Sequence, residues 1–141
     1  MDNLVTSTLA ASLAERIGQK RATVGVVGLG YVGLPLALLF ATAGFPVVGF
    51  DIDRRRVEHL NRGDSLIRHV SSAPLLAAIE QEKFEATSDL ARLGEPDVVL
   101  ICVPTPLTAH REPDLSFVTG TAKAIAKALR RGQFVVLEST T

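Results

Sequence analysis

A single cysteine, Cys102, excludes an internal disulfide and any thiolate-rich metal centre in this 141-residue chain. The three histidines, His59, His69 and His110, are scattered and make no metal-ligand pattern. Charge of one sign is also lacking. Lys+Arg and Asp+Glu both total 15, so no basic field invites nucleic acid or a membrane surface. No apolar run reaches transmembrane length. The N-terminus has no basic segment leading into an apolar core, so no signal peptide is expected. These absences describe a cytoplasmic protein with neither nucleic acid nor membrane as partner.

What the chain does have is apolar content. Hydrophobic residues make up 47%, enough for a sheet covered on both faces, and the length suits one domain. The stretch Thr23 to Asp53 organises the rest. It reads as strand, glycine turn, apolar helix, second strand and acid. The turn is Gly28-Leu29-Gly30-Tyr31-Val32-Gly33, a G-x-G-x-x-G between an apolar β-rich run and a helical run, with acids about 20 residues on. The three glycines serve different ends. Gly28 permits the tight turn, Gly30 the approach of a pyrophosphate, and Gly33 the packing of helix on strand. Free N–H groups and the helix dipole then hold the negative charge.

Further elements follow by pattern. Residues 1–20 form an N-terminal helix, with Leu4, Leu9, Leu13 and Ile17 recurring and Gly18 ending it. The helix from Tyr31 to Ala43 is apolar on nearly every face, so something beyond the sheet should cover it. Strands are expected at Thr23–Val27, Pro46–Phe50, Phe84–Thr87, Asp97–Val103 and Phe134–Leu137. Helices are expected at Arg54–Asn61 and Ala73–Gln81, with a short turn at Ser88–Leu93. Asp114 is read as the cap of a long helix whose buried stripe is Leu115, Val118, Ala122, Ile125, Ala126 and Leu129. On that helix Lys123, Lys127 and Arg130 face water, and Gly132 ends it. Strands alternating with helices predict an α/β, doubly wound parallel sheet of Rossmann type over residues 21–141. The end of the chain just past a strand leaves no room for a second domain, so a fragment without its substrate domain is expected.

Candidate site residues lie where such sheets bind ligands, beyond the carboxyl ends of the strands. Asp51 is placed to accept from the adenosine ribose and to repel a 2′-phosphate, favouring NAD over NADP. Asp53 is the better helix cap. Arg54, Arg55 and Arg56 oppose the helix dipole; two of them read as a solvated face and one as a cofactor contact, with a 2′-phosphate clamp as the dissenting reading. Val103, Pro104, Thr105 and Pro106 make a stiff loop suited to lining a cofactor. Cys102 reads as a buried structural thiol.

The segments GVVGLGYVGLPLA, Asp51 with Arg56 five residues on, ICVPTPL, EPDLSFV and EST together resemble the nucleotide-sugar 6-dehydrogenases of the UDP-glucose/GDP-mannose dehydrogenase family. The pairing of VPTPL with EPDLS resembles the branch acting on UDP-N-acetylhexosamines, UDP-N-acetylglucosamine 6-dehydrogenase among them. The resemblance covers about residues 20 to 141. It implies oxidation of a sugar C6 alcohol to the uronate with two NAD, through a thioester on a cysteine, in a homodimer. It also implies that Gly28, Leu29, Gly30, Tyr31, Val32 and Gly33 bind pyrophosphate, that Asp51 and Arg56 bind the adenosine end, and that Val103 to Pro106 and Thr140 line the cofactor. Thr141 is similar to the threonine that helps hold a catalytic water. Cys102 does not occupy the nucleophile's motif. The glycine turn alone also fits a 3-hydroxyacid-type dehydrogenase or a non-catalytic NAD(H)-sensing domain.

Overall fold

The computed structural model describes residues 2–139. The first helix, α1, runs Asp2–Gly18. Five parallel strands follow in the sheet order β3-β2-β1-β4-β5. They are β1 (Val24–Val27), β2 (Val47–Phe50), β3 (Phe84–Thr87), β4 (Val98–Ile101) and β5 (Phe134–Leu137). Val24 of β1 lies opposite Val47 of β2 and Val98 of β4, so β1 is the shared centre. The chain winds outward from β1 through β2 to β3, then crosses back to β4 beside β1. Ligand crevices form at such a reversal, beyond the carboxyl ends of β1 and β4.

The period of two along each strand splits the core. Val24 and Val26 point to one face, where they pack with Leu34, Leu38, Leu60 and Leu75. Val27 points to the other, with Phe50, Leu93, Ile101 and Ile125. The first face is covered by α2 (Gly33–Ala43), α3 (Arg54–Asn61) and α4 (Ser72–Glu80). The second is covered by a 3-10 turn (Leu90–Gly94) and α5 (Ser116–Ala128).

Local signals set most boundaries. Asp53 caps α3 by accepting from the Arg55 and Arg56 N–H groups at 3.0 and 3.2 Å. Ser71 caps α4 and Asp89 the 3-10 turn. Gly44, at φ 106°, closes α2 in the left-handed region.

Several expectations need correction. The α2 helix begins at Gly33, not Tyr31; the two residues before it belong to the glycine turn. Its cover is incomplete: α4 packs along it, yet Leu39 stays exposed. On α1 the half-buried side is Leu9, Leu13 and Arg16, whereas Leu4 and Ile17 face solvent. On α5 the expected stripe fails at Leu115, Ala122, Ala126 and Leu129, all exposed, and holds at Val118 and Ile125. The helix is rotated so that Thr121, Ala124, Ile125 and Ala128 turn inward. It ends at Ala128, so Gly132 (φ 85°) serves the turn into β5 rather than the helix end. Asp114 accepts the Ser116 N–H at 2.9 Å, one residue ahead of the position expected of the cap. Arg130 does more than face water: it donates to the Gly94, Glu95 and Pro96 carbonyls and to Asp97 Oδ1.

That last contact belongs to a junction below the sheet. Asp97 is 7% exposed. Its carboxylate accepts from the Thr23 N–H at 2.8 Å and pairs with Arg16 at 2.6 Å and Arg130 at 2.8 Å. Burial raises its pKa, but the bonds from Arg16, the Thr23 N–H and Arg130 outweigh it and hold the carboxyl below its ordinary value. The junction pins α1, β1, β4 and the end of α5 together.

Candidate functional site

At the carboxyl end of β1 the Gly28 N–H donates to the Phe50 carbonyl at 2.8 Å, and Gly28 turns the chain at φ 94°. A Cβ on Gly28 would lie 2.6 Å from the Cys102 carbonyl oxygen, so the turn is wedged between β1 and β4. A Cβ on Gly33 would lie 1.6 Å from the Gly28 carbonyl oxygen, so α2 starts in direct contact with the turn. A Cβ on Gly30 would meet nothing within 4 Å. The turn therefore packs tightly at its two ends and presents an open middle.

That middle carries unspent donors. Among the described residues, the Gly30, Tyr31 and Val32 N–H groups donate to no protein acceptor. No side chain caps α2 either, and its first turn holds no acid. Three free N–H groups at the positive end of a helix form an anion cradle. The fit of a pyrophosphate rests on these donors and on the bare Cα of Gly30.

Asp51 stands at the end of β2, 7% exposed. Its Oδ2 accepts the Leu29 N–H at 2.9 Å and Arg56 Nη1 at 3.1 Å; Oδ1 accepts the Asp53 N–H at 2.9 Å. The acid thus clamps the glycine turn to β2 and keeps lone pairs for a further donor. Arg54 and Arg55 remain exposed while Arg56 folds back onto Asp51. The local cause is the Asp53 cap, which sets the first turn of α3 and aims position 56 back toward the strand end.

These groups share one cavity of about 780 Å³. Its wall includes the expected Gly28, Leu29, Gly30, Tyr31, Val32, Asp51, Arg56, Val103, Pro104 and Thr105. Gly33 and Pro106 do not line it. Gly33 is buried behind the turn, and the Pro106 carbonyl accepts the Asp114 N–H at 2.7 Å in the neighbouring loop. Thr140 and Thr141 lie outside the described residues. Sequence reading missed Ile52, Leu90 and Leu93, and Phe117, Gly120, Thr121 and Ala124 of α5. The α5 set has its own helical spacing, i, i+3, i+4 and i+7, which was the available signal.

Cys102 lies one residue past β4, half-buried, on the cavity wall rather than inside the sheet. Burial, with the Glu138 carboxylate nearby, pushes its thiol up to about 11. It is therefore protonated near neutral pH and poorly nucleophilic. Ser139 donates to the Ile101 and Val103 carbonyls at 3.2 and 2.8 Å, tying the end of the described chain to the loop after β4. Among the described residues no cluster of His, Cys, Asp or Glu could hold a metal ion, and no helix is long and apolar enough to cross a membrane.

The chain is similar to known proteins in sequence and in fold. The NDP-N-acetyl-D-galactosaminuronic acid dehydrogenase of Ralstonia nicotianae is 43% identical over 121 residues, covering 84% of this chain and 28% of that protein. The UDP-N-acetyl-D-mannosamine dehydrogenase of Escherichia coli is 39% identical over 120 residues, covering 85% and 28%. In structure, the GDP-mannose dehydrogenase of Pseudomonas aeruginosa superposes with a TM-score of 0.80 at 28% identity, covering 84% of this chain and 28% of that one. The chain thus spans 28% of the length of these curated relatives. The family model of the UDP-glucose/GDP-mannose dehydrogenase NAD binding domain matches residues 22–141, and with the glycine cradle and Asp51 in place the chain belongs to that family as its NAD-binding domain.

Proposed function

We propose that this protein is the cofactor-holding part of a cytoplasmic, homodimeric nucleotide-sugar 6-dehydrogenase that oxidises the C6 alcohol of a UDP-N-acetylhexosamine to the uronate with two NAD. Residues 21–141 make the cofactor domain and residues 1–20 an appended helix. The observation that carries the reading is the set of three free N–H groups, Gly30 to Val32, opening α2 beside the buried Asp51. NAD, when bound, supplies the hydride acceptor for alcohol oxidation.

The roles of the chain's own residues follow. The Gly30, Tyr31 and Val32 N–H groups hold the pyrophosphate, and the tight contacts at Gly28 and Gly33 keep them aimed. Asp51 accepts from the adenosine ribose with a carboxylate already oriented by Leu29 and Asp53, so little reorganisation opposes binding. Arg56 neutralises Asp51 and borders the adenosine end. Val103, Pro104 and Thr105 line the opposite end, with Thr140 and Thr141 assigned there by family resemblance alone. Cys102 does not occupy the motif of the family's thioester-forming thiol, and its half-buried setting raises its pKa rather than lowering it.

The UDP-N-acetylhexosamine class is supported by the names of the two curated relatives, which are dehydrogenases of N-acetylmannosamine and N-acetylgalactosaminuronic acid nucleotides. Titration calorimetry of the chain with NAD and NADP tests the cofactor reading: NAD should bind more tightly by at least about 10-fold, roughly 1.4 kcal/mol. Equal or stronger NADP binding would sink the Asp51 assignment and turn the arginine run into a phosphate clamp. An enzyme that contains this chain should form NADH with UDP-N-acetylglucosamine or one of its epimers; no turnover with any of them would end the substrate proposal.

A further inference from the structure

The sheet ends in β3 on one side and β5 on the other. A bare edge offers a row of backbone N–H and carbonyl groups to any other strand, and proteins blunt such edges with charge, proline, a bulge or a cover. On β3 the first three devices are missing. Its sequence, Phe84-Glu85-Ala86-Thr87, holds no proline. Its register with β2 runs unbroken from Phe84 to Thr87, so there is no bulge. Its one charge, Glu85, is spent on an ion pair with Arg92. What remains is a single side chain. The Lys83 and Thr87 carbonyls accept from the Val47 and Asp51 N–H groups at 2.8 and 3.1 Å, on the β2 side. Backbone groups alternate in direction along a strand, so Phe84 and Ala86 present theirs outward. At Ala86 both outward groups are taken. Its N–H donates to Asn61 Oδ1 at 2.8 Å, and Asn61 Nδ2 donates to its carbonyl at 2.9 Å. Asn61 is the last residue of α3. The helix does not need these bonds to form, being capped by Asp53 at one end and closed by the Arg62 N–H at the other. Ala86 is 6% exposed behind the amide.

We infer that Asn61 closes the β3 edge against a second copy of this chain, its side-chain amide standing where the backbone of an added strand would bond. A carboxamide carries the same donor and acceptor as a peptide group, and here it makes the reciprocal pair of bonds that a neighbouring strand would make to Ala86. With that pair occupied, an added strand keeps only the groups of Phe84, too few to hold a register. The closure comes from a helix end instead of from the strand itself, which lets β3 stay short and regular beside β2. Any assembly of copies, the homodimer proposed above included, then forms on another face.

The test measures sedimentation velocity over a wide range of protein concentration, with thermal melting, for the protein and for Asn61→Ala, Asn61→Asp and Asn61→Ala combined with Ala86→Pro. Asn61→Ala should melt about 5 °C lower, the worth of two ordinary hydrogen bonds in a domain of this size. It should also self-associate at least about 10-fold more tightly than the parent, because the Ala86 pair is freed. Asn61→Asp keeps an acceptor for the Ala86 N–H and adds a charge to the edge, so it should lose stability yet sediment as the parent does. Ala86→Pro removes the N–H that an incoming strand needs, so the double variant should return to the parent's sedimentation. An amide that merely anchors α3 would lower Tm in both Asn61 variants and change the association of neither, and that result would overturn the inference. Association of Asn61→Ala that persists with Ala86→Pro, or that Asn61→Asp shows equally, would overturn it too. If the proline variant does not fold, the contrast between alanine and aspartate at position 61 decides alone.

Discussion

Replacing Gly33 and Gly30 separately by alanine asks the same question of two glycines in one motif and should give opposite answers. At Gly33 the new Cβ would stand 1.6 Å from the Gly28 carbonyl oxygen and 2.8 Å from its carbon, with Cys102 Cβ at 3.3 Å. The closest clash is with backbone, so no side chain can swing away to relieve it. The start of α2 would have to withdraw by about 1.5 Å, breaking the packing of Leu34 and Ala37, both fully buried, against β1. Overpacking of this kind costs about 3 kcal/mol, less up to about 1 kcal/mol regained from helix propensity. A net loss of about 2–3 kcal/mol in a domain of this size lowers Tm by about 6–10 °C. At Gly30 the Cβ meets nothing, so Tm should stay within about 2 °C. Its methyl instead occupies the path to the free N–H groups, and NAD affinity should fall at least about 10-fold. Differential scanning calorimetry and NAD titration on both variants decide the matter. A Gly33→Ala protein that melts with the parent, or a Gly30→Ala protein that binds NAD as the parent does, would refute the division of labour in the turn.

Arg56→Ala should weaken NAD binding with little change in Tm, while Arg54→Ala should do little to either, because only Arg56 reaches Asp51; identical calorimetric titrations for the two variants would reduce the whole run to a solvated face. Cys102 should react with iodoacetamide about 100-fold more slowly in the folded protein than after denaturation near neutral pH, and the rate should climb as pH approaches about 11; fast alkylation of the native fold would contradict the half-buried, protonated thiol. The chain alone should form no NADH from NAD and UDP-N-acetylhexosamines, and turnover abolished by Cys102→Ser would reverse that conclusion. Asp97→Asn should cost about 2 kcal/mol near neutral pH, a value discounted because Arg16 and Arg130 are each about a third exposed. The folded carboxyl titrates below its unfolded value, so its contribution is present above about pH 4 and lost as pH falls through the folded pKa. Melting curves of parent and variant should therefore converge in acid, and a gap that persists there would place the stabilisation elsewhere.

The sequence by itself determined the element order, the parallel sheet and the near side of the cofactor cavity. Those features are local or nearly so. The glycine turn, the Asp53 cap and the strand ending at Asp51 all lie within Thr23 to Arg56, and their spacing encodes their geometry. Arg54–Asn61 and Phe84–Thr87 were readable to the residue because a cap or flanking turn residues mark each end. What only the tertiary structure decided is how α5 is rotated. Two stripes run along it, one through Leu115, Ala122 and Leu129 and one through Phe117, Thr121 and Ala124, and both satisfy helical periodicity. Docking against Leu93 and Ile101 buries Ile125 and turns the second stripe to the cavity, leaving the first exposed. The convergence of Arg16, Thr23 and Arg130 on Asp97 was equally hidden, because those residues come from four elements or their edges and meet only where the ends of the strands are gathered below the sheet. Periodicity states which residues of an element can be buried together; the partner surface chooses among the stripes that qualify.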